Sequence, residues 1–291
     1  MLDGVQVSVA VGGCEAEDSA GNVPPDASIA GRVRRVGRGG DSEPVAFLRE
    51  QAALHDLVWV VAPESGGVLS SLRAAVPDRQ WLGCSQGAID LTSSKRATAH
   101  HLSKAGIACT RPIDSSAVAG AACGARRWVV KPDDGCGSSG ARRYDDYAAA
   151  WSDRARRRLR QEDAVMEPWI EGDPLSMALL CGAGPVEVLA VNRQRISVDG
   201  SGSLAFDGVA VGAITGPRAR AMAVLARRVS AAVPGLSGFV GVDVTWHPGS
   251  GPVVIEINPR VTCAYEGLSA KLRGNVAQRL LARHRRGHGP A

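Results

Sequence analysis

Apolar runs separated by glycine and proline divide this chain into strand-like and helix-like segments. Val5 to Val11 reads as a strand, and so does Leu57 to Ala62. No polar residue interrupts the second run, which predicts a buried parallel strand. Pro44 to His55, with Phe47, Leu48 and Leu54 as its apolar positions, and Gly66 to Ala75 read as helices. The alternation predicts a small open α/β domain over residues 1–92, with ligands at the strand C-termini, where Glu64 falls. Gly12 to Gly40, rich in Gly, Pro, Ser and Asp, predicts a long loop.

Farther along, Asp90-Leu91-Thr92-Ser93-Ser94 offers several N-caps for a helix from Lys95 to Lys104, which Gly106 stops. Ile107 to Pro112 reads as a connector and Trp128 to Lys131 as a strand. Asp133 to Ala141 reads as a glycine loop, Asp145 to Leu159 as a basic helix and Ala164 to Ile170 as a strand. Ser176 to Leu180 and Val186 to Val191 suggest a hairpin around Gly182 to Gly184, followed by a helix from Pro217 to Val233. Phe239 to Trp246 and Val253 to Asn258 read as strands joined by a Pro/Gly turn. From Ala282 the chain is basic and is expected to fray.

Composition narrows the function classes. With 45% hydrophobic and 22% charged residues the chain is a folded protein rather than a disordered one. No window reaches ~18 uncharged apolar residues, so no membrane span is expected. Met1 to Ala10 lacks the basic and long apolar regions of a secretory leader. Seven scattered cysteines without C-x-x-C fit free thiols and a cytoplasmic location. The net charge of +5 suggests a polyanion partner, and a nucleoside triphosphate satisfies that as well as nucleic acid does. Aromatics are only 4%, which argues against base stacking. Lysine occurs only at 95, 104, 131 and 271, so each lysine stands out against the arginines.

Three constellations carry chemistry. If the last two strands form a symmetric hairpin, Asp243 and Glu256 face each other, and Asn258 shares their face. Val242, Val244, Ile255 and Ile257 then point into a core. Two opposed carboxylates and an amide oxygen are hard ligands suited to Mg²⁺, and Arg260 ends the strand beside them. In the second constellation, Lys131-Pro132 precedes a Gly/Ser loop whose N–H groups could close over phosphates while Lys131 neutralises them. Gly135, Gly137 and Gly140 match G-x-G-x-x-G, but without the βαβ context of a dinucleotide site. The third is Glu167-Pro168-Trp169-Ile170-Glu171-Gly172-Asp173, a strand end with the backbone and apolar walls an adenine edge needs, and an acid beyond for ribose.

In chain order, Lys95 at its helix start, Lys131-Pro132 with its loop, Glu167 to Ile170, and Asp243 followed by Glu256-Ile257-Asn258-Pro259-Arg260 resemble the ATP-grasp superfamily of carboxylate–amine ligases. The resemblance covers about Thr92 to Ser269. It implies an α/β (α+β) ATP-grasp fold with an N-terminal open parallel domain (1–92) and a central lid domain (93–165). A C-terminal mixed or antiparallel sheet domain (166–282) and a basic tail (283–291) complete the expectation. By the same resemblance Lys95 and Lys131 contact ATP phosphates under Gly135, Gly137, Ser138, Ser139 and Gly140. Glu167, Pro168, Trp169 and Ile170 bind adenine, and Glu171 or Asp173 binds ribose, although Pro174 stands where relatives often carry an acid. Asp243, Glu256 and Asn258 hold Mg²⁺, for which Mn²⁺ can substitute.

Gly241 stands where D-alanine ligase-type members have arginine, so Arg260 and Arg193, with Lys131, are expected to supply the catalytic positive charge. Glu64, Asn192, Thr262, Tyr265 and Glu266 are expected at the substrate end. Glu256 to Ser269, and Val60 to Glu64 followed by Gly66 to Leu69, are similar to the tyramine–glutamate ligase group of methanofuran-type cofactor synthesis. Similarity to the amino-acid ligase of pyrrolysine synthesis is looser. The implied reaction joins L-glutamate to tyramine or a similar amine. A ligase of another pathway, a degenerate ATP-binding regulator and a nucleic-acid-binding protein are the alternatives. The implied partners are a small amino acid and an amine, with no nucleic acid and no membrane, and a homodimer is the assembly such ligases often form.

Overall fold

The computed structural model describes residues 6–9, 33–35, 43–113, 125–135, 137–272 and 274–288. The ends of the first expected strand (Val5, Ala10, Val11), most of Gly12 to Gly40, Cys136 and the last three residues lie outside them.

The N-terminal part differs most from the sequence expectation. Strand β1 (Val7–Val9) pairs in parallel with β2 (Val33–Arg35), so the stretch read as loop contains a strand. Helix α1 (Pro44–Ala52) starts at Glu43, whose carboxylate accepts from the Val45 and Ala46 amides. It ends before Leu54, which is exposed. Leu57 to Ala62 is not a strand. Only Val58 forms a bridge, parallel to Trp81, and Val61 is exposed. The partner segment Gln80 to Leu82 emerges from a tight turn and is too short to extend the ladder. Helix α2 (Val68–Ala74) follows a turn through Gly66 and Gly67, both at positive φ.

Helix α3 (Gln86–Ser93) takes up residues the sequence reading assigned to N-caps. Ser94 is the cap of α4 (Lys95–Lys104), and its hydroxyl accepts from the Ala97 amide. Gly106, at φ 66°, stops that helix as expected.

A three-stranded antiparallel sheet follows. Its central strand β3 (Trp128–Pro132) lies between β4 (Arg142–Tyr144), which the sequence reading missed, and β5 (Ala164–Pro168). Helix α5 (Tyr147–Leu159), capped by Asp146, packs on this sheet.

The largest element is an antiparallel sheet of five strands: β6 (Asp173–Cys181), β7 (Glu187–Val198), β8 (Leu204–Ala210), and, after helix α6 (Gly216–Ala232), β9 (Gly238–His247) and β10 (Gly251–Asn258). Their order is β10-β9-β6-β7-β8. The 186–191 strand is thus longer than expected, and β8 is new. Period-two alternation gives the sheet two apolar faces. Leu175, Met177, Val242 and Val244 pack with α3, α4 and α6, while Ala178, Leu180 and Phe239 pack with α7 (Ala264–Lys271) and α8 (Val276–His288).

The expected basic tail is instead helical through His288. Arg283 is buried and donates to the Leu180 carbonyl at 2.9 Å, so the segment through His288 is part of the fold. No helix is long and apolar enough to cross a membrane among the described residues.

Candidate active site

The hairpin of β9 and β10 closes tightly, with His247 opposite Gly251. The His247 Nδ1 accepts from the Gly249 and Ser250 amides, which fixes the loop. This closure alone would set Asp243 opposite Ile255. A bulge between Val254 and Glu256 inserts one residue, and beyond it Glu256 pairs with Asp243 and Asn258 with Gly241. The expected opposition of the carboxylates is therefore present, but through a bulge. The bulge also moves Ile255, expected in the core: it is half-buried and lines the cavity, while Val254 takes the core position.

Across the sheet a polar row runs Glu256, Asp243, Ser176, Asn192. Asp243 accepts from Gln194 Nε2 at 3.0 Å and from Asn258 Nδ2 at 3.3 Å. Burial, reinforced by the neighbouring Glu256 charge, pushes the Asp243 carboxyl well above its ordinary range. Glu256 behaves oppositely. Burial works against its ionisation, yet the Lys95 and Lys131 ammoniums hold it below its usual value.

Both lysines are buried and face the same cavity, which encloses about 350 Å³. Lys95 Nζ lies 3.4 Å from Glu256 Oε2 and donates to the carbonyls of Asp133 and Gly135. Lys131 Nζ lies 2.7 Å from Glu167 Oε2. The glycine loop between β3 and β4 forms the roof, and three of its residues, Gly137, Ser138 and Gly140, adopt positive φ. Asp133 anchors its base, because its carboxylate accepts from the Ser94 hydroxyl and the Arg96 amide at the start of α4.

Of the residues singled out from sequence, the structure gathers Lys95, Lys131, Gly135, Gly137, Ser138 and Ser139 on this cavity. Glu167, Pro168, Trp169 and Ile170 join them, as do Asp243, Glu256, Asn258, Arg260 and Thr262. Others lie elsewhere. Glu171 is exposed and pairs with Arg127 at 2.9 Å. Asp173 is held by Arg218 at 2.5 Å and by Arg193 at 3.6 Å, so neither acid expected at ribose lines the cavity. Arg193 itself points away, because strand alternation turns Asn192 and Gln194 to the site face and Arg193 to the other. Gln194 is thus a site residue the sequence reading missed, although its i+2 spacing from Asn192 was the available signal.

Asn192 is fully buried, donating to Ser176 Oγ and accepting from the Gly212 amide. Tyr265 packs edge-on between Trp59 and Phe239, with ring centroids 5.5 Å away in each case. Glu266 is exposed, and Gly140 lies outside the lining. Glu64 is buried, and its Oε2 accepts from Arg260 Nε at 2.9 Å. Gly241 has a local reason: a Cβ there would come within 2.5 Å of Thr262 Cγ2, so any side chain at 241 would have to displace Thr262.

The metal expectation can be tested on the donor set. Among the described residues no group of three His, Cys, Asp or Glu is placed to hold a metal ion. The opposed pair plus Asn258 supplies two carboxylates and an amide oxygen, all hard donors. That set suits Mg²⁺, which binds through one or two carboxylates plus phosphates and water. The raised Asp243 carboxyl marks a site that a cation would stabilise.

Comparison with known proteins agrees with this geometry. The model of the ATP-grasp domain matches residues 92–264, and that of the pre ATP-grasp 3 domain matches residues 21–89. No curated protein sequence matches the chain. Among solved structures, an ATP-grasp superfamily protein from Archaeoglobus fulgidus is 24% identical with a TM-score of 0.63, over 89% of this chain and 73% of that one. D-alanine–D-alanine ligase from Bacillus anthracis, complexed with ATP, is 15% identical with a TM-score of 0.67, over 97% and 98%. L-amino acid ligase from Bacillus licheniformis is 18% identical with a TM-score of 0.66, over 95% and 66%. At these identities the likeness establishes the fold. With residues 92–264 matched, more than half its length, the chain belongs to the ATP-grasp domain family.

Proposed function

We propose that this chain is an ATP-dependent ligase that joins a carboxylate to an amine, releasing ADP and phosphate. The observation that carries the reading is the convergence of two buried lysines and the opposed Asp243–Glu256 pair on one cavity roofed by a glycine loop. That arrangement meets the electrostatic demand of the reaction. A carboxylate attacks the γ-phosphate of ATP, so two anions must meet, and fixed positive charge offsets their repulsion.

Lys95 and Lys131 supply that charge when phosphates replace their present partners, the loop carbonyls and Glu167. Asp243, Glu256 and Asn258 would hold Mg²⁺, which supplies charge neutralisation at the phosphates when bound. The walls of Trp169 and Ile170 accept adenine. Gln194 orients Asp243 by donating to its carboxylate. The attack forms an acyl phosphate, the amine displaces phosphate from its carbonyl carbon, and no protein nucleophile is required. The acyl phosphate is lost to water unless the site closes, which is the task of the 133–141 loop.

The substrates in this reading are small molecules, L-glutamate and tyramine or a similar amine, after the similarity of Glu256 to Ser269. Arg260 and Thr262 form the substrate end of the cavity, and the protein works in the cytoplasm. ADP release is measured with glutamate and a panel of amines, alongside product mass. Turnover that requires both substrates and Mg²⁺, and that falls at least about 100-fold in Asp243→Asn and Glu256→Gln, bears the reading out. Unchanged turnover in both variants sinks the metal assignment.

A further inference from the structure

Resting on the ligase reading, a contact outside the cavity couples the glycine loop to the N-terminal segment. Asp134, on the loop, accepts from the Gly66 amide through Oδ2 at 2.8 Å, and its carbonyl accepts from the Ser65 hydroxyl at 3.1 Å. These partners are nearly seventy positions apart in sequence. Their neighbours are also engaged. Glu64, one residue before Ser65, holds Arg260 from the end of β10. Gly135, one residue after Asp134, accepts from Lys95, which in turn touches Glu256 on β10. In this structure the contacts form one chain: Arg260, Glu64, Ser65–Gly66, Asp134–Gly135, Lys95, Glu256.

Gly66 and Gly67 have positive φ, which glycine adopts without strain. Their turn presents the Gly66 N–H toward the loop, and a side chain of Asp length and charge spans the gap. A carboxylate accepting a backbone N–H makes a charge-assisted bond, stronger than a neutral one. The base of the loop is fixed separately by Asp133 on α4, so Asp134 is free to serve the second attachment.

We infer that Asp134 is a positioning residue that clasps the glycine loop to Ser65–Gly66. Loop closure over the phosphates is thereby transmitted to Glu64 and through it to Arg260. In this arrangement the lid does not move alone: what orders the loop also orders the N-terminal wall of the substrate end.

The test is amide hydrogen exchange on the full chain, with and without ATP and Mg²⁺, in wild type, Asp134→Ala and Asp134→Asn. In wild type the nucleotide is expected to slow exchange both at 137–141 and at 64–67. Asp134→Ala is expected to keep the first effect and lose about tenfold of the second, the ratio one such bond is worth. Asp134→Asn retains a carbonyl acceptor without the charge and is expected to restore part of it. Slowing confined to 137–141 in wild type overturns the clasp and leaves the ATP reading standing. Slowing at neither segment overturns the ATP reading and the clasp with it. Faster exchange throughout Asp134→Ala, with a lowered thermal midpoint, overturns the clasp in favour of a plain role in folding.

Discussion

Lys131 and Glu167 form a buried ion pair across adjacent strands: Nζ and Oε2 are 2.7 Å apart, and their side chains are 9% and 1% exposed. Glu167 stands opposite Val129 in the β3–β5 ladder, so Lys131 meets it on the diagonal. Removing Glu167 leaves Lys131 buried with Glu256 as its remaining anionic neighbour, so the cost is expected at or below the ~3–5 kcal/mol typical of a broken buried pair. Glu167→Ala is therefore expected to lower the urea midpoint by that equivalent, and ATP is expected to recover part of the loss by pairing with Lys131. Full stability in Glu167→Ala without nucleotide contradicts this account.

Gly241 and Thr262 are a steric pair. A Cβ at 241 would come within 2.5 Å of Thr262 Cγ2, closer than real Cβ contacts allow. Gly241→Ala is expected to destabilise the fold by about 1–3 kcal/mol, the usual cost of overpacking. Thr262→Ser removes the offending methyl, so the double variant is expected to recover at least half of that loss, a coupling a thermal-melt cycle measures directly. Additive effects in the cycle would show that the two side chains do not compete for this space.

The cysteines divide by burial. Burial pushes the Cys84 and Cys181 thiols up to about 12, so at pH 8 they remain protonated and unreactive. Cys263 is exposed on the cavity wall. Brief alkylation at pH 8, mapped by peptide mass, is expected to modify Cys263 and spare Cys84 and Cys181 until the protein is unfolded. Because burial raises these two pKa values, their thiolates form only as pH climbs toward 12, and labelling is expected to rise along that limb. Labelling of Cys84 in the folded chain at pH 8 would contradict its burial.

Several features of the site were legible in the sequence because they depend on local spacing. The Ser94 cap and the Gly106 stop framed α4 and put Lys95 on its first turn. Lys131, ahead of its glycine loop, needed only a strand followed by residues that tolerate positive φ. Period-two alternation was enough to set Glu256 and Asn258 on one face of their strand once the hairpin was recognised. The same rule, carried through Asn192-Arg193-Gln194, distinguishes Gln194 from Arg193.

Other features were decided only in three dimensions. The bulge after Val254 is invisible in apolar periodicity, yet without it Glu256 would turn from Asp243. Leu57 to Ala62 has the composition of a central strand but lacks a partner long enough to make it one. The terminal basic segment is helical because α8 packs on the sheet and Arg283 finds the Leu180 carbonyl. The Glu64–Arg260 and Asp134–Gly66 contacts join residues distant in the chain. Side-chain period is a property of a few neighbouring residues, and the sequence alone determined which groups of a single strand share a face. Which faces meet depends on how strands cross and pack, and that only the tertiary structure decided.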